Sequence, residues 1–168
     1  MMIPLLLPTV ASARVSDIFT FLTSVSADGQ SKFPVAEERV QSPVRTLRVI
    51  ATAYSIDPGQ TDDSPCNPAM WSYNLCEHYL KYGIEDTIAA NFLPLGTRIR
   101  FPDIYGEKVF TVRDRMNARY NYDVLGYYRV DFYKAAAAEN GEMDAPAARQ
   151  KALDFGLKRN LKLEVLAG

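Results

Sequence analysis

The sequence has little of what most metal and redox centres are built from: one histidine and two cysteines in 168 residues. His78 has no second histidine and no cysteine pair at ligand spacing, which argues against a zinc site and leaves it an exposed or structural role. Cys66 and Cys76 are too far apart in sequence for a C-x-x-C redox motif. Two states remain for them: a local disulfide, the simpler reading, or reduced thiols in a reducing compartment. The bridge predicts Cα atoms within about 7 Å of each other. An excess of charge of one sign is also missing, since 19 Lys and Arg stand against 20 Asp and Glu, for a formal net charge of −1. No broad positive field exists to gather nucleic acid or an anionic membrane surface, so the expected ligand is neutral or is read by local contacts. The apolar run at the start (Ile3, Leu5, Leu6, Leu7, Val10) is too short for a bilayer-spanning helix, which needs about 20 residues.

That run ends in Ala11-Ser12-Ala13, a small-x-small pattern that fits a signal-peptidase site over residues 1–13. Pro4 and Pro8 interrupt it and no positive residue precedes it, so a truncated signal, a disordered start and a short buried segment stay open beside it. Export to the cell wall, periplasm or extracellular space is the expectation, with tethering through the N-terminus undecided. Residues 14–44 mix Val15, Ile18, Phe19, Phe21 and Leu22 with Gly29, Pro34, Pro43 and Glu37-Glu38, the make-up of an extension or tether.

From Arg45 onward, β-branched and aromatic residues cluster into short runs between turn residues. Strands are predicted at 46–54, 87–91, 97–101, 107–114, 128–133 and 160–166. Asp144-Ala145-Pro146 supplies an N-cap and an early proline for a helix through Asp154, ended by Gly156, and the alanines at 135–138 offer a further helical turn. Six short strands with one or two short helices predict one mainly β domain, a small barrel over 45–168 whose closure removes exposed edges. Residues 55–86 break the rhythm with both cysteines, Trp71, Tyr73, His78, Tyr79 and Tyr82. A segment this long has a function or structure of its own. A disulfide-stapled insert is predicted, with 71–82 either a short helix or a stapled lobe over one end of the barrel.

An ordered set of short motifs now stands out: Val49-Ile50-Ala51-Thr52-Ala53-Tyr54-Ser55, Ile88-Ala89-Ala90-Asn91, Leu93-Pro94-Leu95-Gly96-Thr97-Arg98-Ile99, Val112-Arg113-Asp114, Arg129-Val130-Asp131-Phe132-Tyr133 and Ala152-Leu153-Asp154-Phe155-Gly156. In this order they resemble the 3D domain family, named for three aspartates. The resemblance implies a six-stranded double-psi β-barrel similar to the catalytic domain of barrel-type lytic transglycosylases. Two of the three aspartates fall on Asp114 and Asp131. Asn91 stands where the third is expected, and Arg115-Met116-Asn117 replaces the glycine-rich residues that follow the central one.

The implied substrate is peptidoglycan, cut between MurNAc and GlcNAc to leave a 1,6-anhydro sugar, with neither metal nor cofactor. Ordinary glycosidases need two carboxyls. Here the muramic C6 hydroxyl attacks the anomeric carbon, so one carboxyl can act as acid and then as base. Asp114 is the expected acid and base, since alternation places it on the line of Phe110 and Val112, where an apolar rim favours the protonated form. The alternative is a carboxylate that ends a strand, caps a turn or pairs with an arginine. Asp131 shares its face with Arg129 and Tyr133, and either orients the site or pairs with an arginine. Asn91, Thr52, Tyr54 and Asn117 are the expected substrate-contacting residues by the same resemblance, with packing as the alternative. Tyr120, Tyr122, Tyr127, Tyr128 and Tyr133 could stack sugars or serve as ordinary sheet residues. The rival reading is a non-catalytic glycan-binding or wall-loosening barrel of the expansin kind.

Overall fold

The computed structural model describes residues 42–168. The signal-like run 1–13 and the extension up to residue 41 lie outside the described residues. Within them the chain runs β1 (Pro43–Tyr54), α1 (Leu75–Tyr82), β2 (Thr87–Ala89), β3 (Arg98–Arg100), α2 (Pro102–Tyr105), β4 (Val109–Asp114), a 3₁₀ turn (Ala118–Tyr120), α3 (Tyr122–Leu125), β5 (Arg129–Tyr133), α4 (Ala145–Phe155) and β6 (Lys158–Leu166).

The six strands close into a barrel in the order β1-β5-β2-β4-β3-β6. The β1/β5 and β2/β4 pairs are parallel, and the β1/β6, β2/β5, β3/β4 and β3/β6 pairs antiparallel. This mixed closed barrel is compatible with a double-psi arrangement. Period-2 alternation fills it: Val49 and Ala51 from β1, Ile88 from β2, Phe110 and Val112 from β4, Val130 and Phe132 from β5, and Leu161 and Leu163 from β6 form one buried cluster. Phe101, Phe110 and Phe132 meet in this cluster with ring centroids 4.7–5.7 Å apart.

Each predicted strand is present, with ends shifted by a few residues. β1 starts at Pro43, so the barrel takes in the last residues assigned to the extension. Four α-helices occur among the described residues, where one or two were expected. The additional ones, α2 and α3, have four residues each, too short to show a helical period in sequence. The 135–138 alanines do not form a turn of helix. Ala135 N–H donates to Glu85, and Ala137 bridges to Met143 around the turn at Gly141, so the run is drawn into a small antiparallel loop.

A second buried cluster lies outside the barrel wall and joins Tyr54, Ala89 and Tyr133 of the strands to Ile56, Leu75 and Cys76 of the insert. The insert's helix starts at Leu75 because Asn74 caps it, its side-chain oxygen accepting from Cys76 and Glu77 N–H. It stops at Gly83, whose φ of 66° is the left-handed conformation of a helix end. Cys66 and Cys76 form the predicted disulfide, with Cα atoms 5.3 Å apart. Replacing both with serine is expected to reduce unfolding free energy by roughly 2–3 kcal/mol in the chain-entropy model. A matched pair of denaturant titrations checks this, and an unchanged midpoint would show that the insert is held by packing alone.

Candidate active site

Strand register gathers the site. Thr52 of β1 is opposite Asp131 of β5, Asp131 is opposite Ala89 of β2, and Ala89 is opposite Asp114 of β4. Four neighbouring strands therefore contribute one row at the same level. Asp114 and Asp131 flank Ala89, two strand spacings apart, or about 10 Å between Cα atoms. Simple alternation from Phe110 and Val112 would carry Asp114 into the barrel core. The pairing of β2 with β4 shifts register between Ile88 and Ala89, leaving Arg113 as an extra residue on β4. Such a bulge re-aims the next side chain, and Asp114 faces outward with Ala89 and Tyr54.

The two carboxyls have different surroundings. Asp114 accepts from three donors: Tyr54 hydroxyl at 2.8 Å, Ala69 N–H at 3.0 Å and Arg115 N–H at 2.8 Å. Ala69 belongs to the stapled insert, which is also anchored by Met70 N–H donating to Arg113 carbonyl at 2.9 Å. Burial pushes the Tyr54 phenol well above its usual range and the neighbouring Asp114 adds to the effect, so Tyr54 stays a donor. Asp131 accepts from Thr52 hydroxyl, which in turn accepts from Arg129 Nη2 at 2.9 Å. Arg129 Nε stands 3.9 Å from Asp131 Oδ1 and makes no hydrogen bond of its own. Burial pushes Asp131 up to about 6, with Arg129 opposing the rise and Asp114 adding to it.

These groups line a cleft of about 860 Å³ on the outer face of the barrel. Thr52, Tyr54 and Asp131 lie along its strand side, Gln60, Asp62 and Asn67 come from the insert, Arg115, Asn117 and Tyr120 from the loop after β4, and Leu153 from α4. Asn117 Oδ1 also caps the 3₁₀ turn by accepting from Arg119 N–H at 3.1 Å. Asp114, Asp131, Thr52, Tyr54 and Asn117 all line this one cleft. Asn91 does not line it. Its amide NH₂ donates to Met116 carbonyl at 3.1 Å, Asn117 carbonyl at 3.4 Å and Asn121 Oδ1 at 2.6 Å, while its Oδ1 accepts from Met116 N–H at 2.8 Å.

The tyrosines divide as well. Tyr120 lines the cleft with the Arg129 guanidinium 4.3 Å from its ring centre, whereas Tyr133 is buried against Tyr54. Trp71 is 89% exposed and does not line the cleft. His78 packs between Tyr73 and Tyr82 and lies 3.7 Å from Asp86, the structural role left open for it. No cluster of three metal-binding side chains exists among the described residues.

Compared with known protein families, curated proteins and solved structures, the chain has no significant match. The site residues that sequence reasoning missed are Gln60, Asp62 and the Ala69 amide. A backbone donor carries no side-chain signature, and polar residues in a long loop look alike until the fold aims them.

Proposed function

We propose that this protein is an exported member of the 3D domain family that cleaves peptidoglycan glycan strands as a lytic transglycosylase. One observation carries the reading: two carboxyls lie at the same level on either side of Ala89, one held by three donors and the other desolvated. The ordered motifs and the mixed six-stranded barrel support the family assignment, and the Cys66–Cys76 bridge and the signal-like run 1–13 support export to an oxidising compartment.

The roles divide in the opposite sense from the sequence expectation. A general acid must hold a proton near the working pH, and the group raised to about 6 is Asp131. Asp114, whose partners are all donors, acts as the acceptor whose negative charge favours the proton on Asp131 and stabilises positive charge developing at the anomeric carbon. Asp131 gives its proton to the leaving glycosidic oxygen. The C6 hydroxyl of the muramic sugar then forms a bond to C1 as the C1–O4 bond breaks, and ionised Asp131 takes the hydroxyl proton. The carboxyl ends as it began, protonated, and no water is consumed.

A second reading, a glycan-binding or wall-loosening barrel, is favoured by Asn91 at the position of the third family aspartate. Incubating the purified protein with peptidoglycan and analysing the soluble products by mass spectrometry separates the readings. Anhydro-muropeptides are the expected result. Reducing-end products would mean hydrolysis, and retention on the sacculus without products would replace the enzyme with the binding module.

A further inference from the structure

A second cavity, of about 330 Å³, opens beside the cleft and shares Tyr120 and Arg129 with it. Its walls are aromatic in a way the cleft is not. Tyr122 and Tyr128 lie with ring centroids 4.6 Å apart and planes tilted by 33°, and Tyr128 continues to Phe92 at 4.5 Å. Half of the Tyr122 surface is open to solvent, at the outer end of this ladder. Polar groups stand around the rings: the Asn121 amide, the Asp123 carboxylate and the Arg129 guanidinium. Flat apolar faces ringed by both donors and acceptors suit a pyranose, whose axial C–H groups are apolar and whose rim is hydroxyl.

The wall is held in place by Asn91. Its NH₂ donates to Met116 and Asn117 carbonyls and to Asn121 Oδ1, so it latches the start of the loop that carries Tyr120, Asn121 and Tyr122. An aspartate could accept from Met116 N–H as Asn91 does, but would set a negative oxygen against three acceptors. The departure from the family pattern at this position is therefore explained by the architecture of the second cavity.

Resting on the reading of the cleft as a glycan site, we propose that the second cavity is a subsite for one neutral pyranose of the strand, stacked on Tyr122, the ring that Tyr128 and Phe92 back, with Asn91 as the residue that positions its wall. The shared Tyr120 and Arg129 make it continuous with the cleft, so one strand occupies both. A sugar held here fixes the register of the glycan relative to Asp131, with binding energy supplied away from the reacting bond.

Calorimetric titration of the full chain with a soluble β-1,4-linked N-acetylglucosamine oligomer tests the subsite. Tyr122→Ala is expected to weaken binding by about 3- to 10-fold, the range of one lost ring contact. Asn91→Asp should weaken it by a similar factor at unchanged far-ultraviolet dichroism, and Asn91→Gln, which keeps the donors, should recover part of the loss. No binding by the wild type, or equal affinity for wild type and Tyr122→Ala, overturns the subsite. Binding that follows the expected order while peptidoglycan yields no anhydro products would keep the subsite and reject the transglycosylase. Cleavage of peptidoglycan with affinity indifferent to both positions would do the reverse.

Discussion

Asp131→Asn is expected to lower the rate of glycan cleavage by about 10²- to 10⁴-fold, the contribution typical of a positioned acid, while oligosaccharide affinity changes little. The amide fills the same space and still accepts from Thr52, but it has no proton to deliver to the glycosidic oxygen. The wild-type pH profile carries the same signature, since kcat/KM should fall as pH rises through about 6, where Asp131 ionises. Asp114→Asn removes the charge that helps hold the proton on Asp131, so its profile should break at lower pH than the wild type's. That displacement distinguishes the neighbour from the acid. Near-wild-type turnover by Asp131→Asn would remove it from the mechanism, and a profile whose break vanishes only in Asp114→Asn would return the proton to Asp114. Equal, large losses with no displacement would mean a pair titrating as one unit.

Folding gives an independent check that the lost activity is not lost structure. The folded state raises Asp131 from 3.8 to about 6, so between these values the native protein binds more protons than the unfolded chain. Stability then declines as pH rises through that window, and above it the buried charge is a standing cost. Asp131→Asn removes the cost, so above pH 7 the variant should unfold at a higher denaturant concentration than the wild type. A carboxyl kept for chemistry in a place where it weakens the fold is what a functional role predicts.

How far the sequence revealed this site depends on which forces set each part. β4 and β5 were readable because Phe110 and Val112, and Val130 and Phe132, alternate with polar neighbours, and burial of one face enforces that period. The disulfide was readable because the chain offers two cysteines and one short loop between them. The direction of Asp114 was not readable. It depends on one unpaired residue, Arg113, and a bulge leaves no mark in the alternation that precedes it. The sequence expectation puts the acid and base on Asp114, but both carboxyls are aspartates on strands, and their surroundings differ only in what the fold brings to them. The donor Ala69 comes from 45 positions away and the burial of Asp131 from the closed barrel. Asn91 carries no mark of its contacts in the sequence, since its partners on 116–121 meet it only once the loop is folded back on it.

Glu164→Gln is expected to lower unfolding free energy by about 3 kcal/mol at neutral pH, near the lower end of what breaking a buried ion pair costs. The β3–β6 seam has only two register pairs, Ile99 with Val165 and Arg100 with Glu164, so the ion pair is half of that seam. Arg100 Nε lies 2.5 Å from Glu164 Oε2, and the two side chains are 9% and 5% exposed. Lys162 binds the other carboxylate oxygen at 2.5 Å. The amide leaves Arg100 covered by protein with its charge short of a partner, but Glu107 also pairs with Arg100 from the exposed side, which moderates the loss. Lys162 and then Arg100 hold the Glu164 carboxyl below its usual 4.5, so its contribution is complete above that value and disappears as pH falls through the lower, folded one. Wild type and variant should therefore converge in urea titrations as the solution is made strongly acidic. The partner change Arg100→Met, added to Glu164→Leu, should restore much of the lost stability, because two apolar side chains of similar size leave no charge to solvate. If Glu164→Gln unfolds within about 0.5 kcal/mol of the wild type at pH 7, as surface substitutions do, the seam is held by Ile99 and its neighbours and the ion pair is incidental.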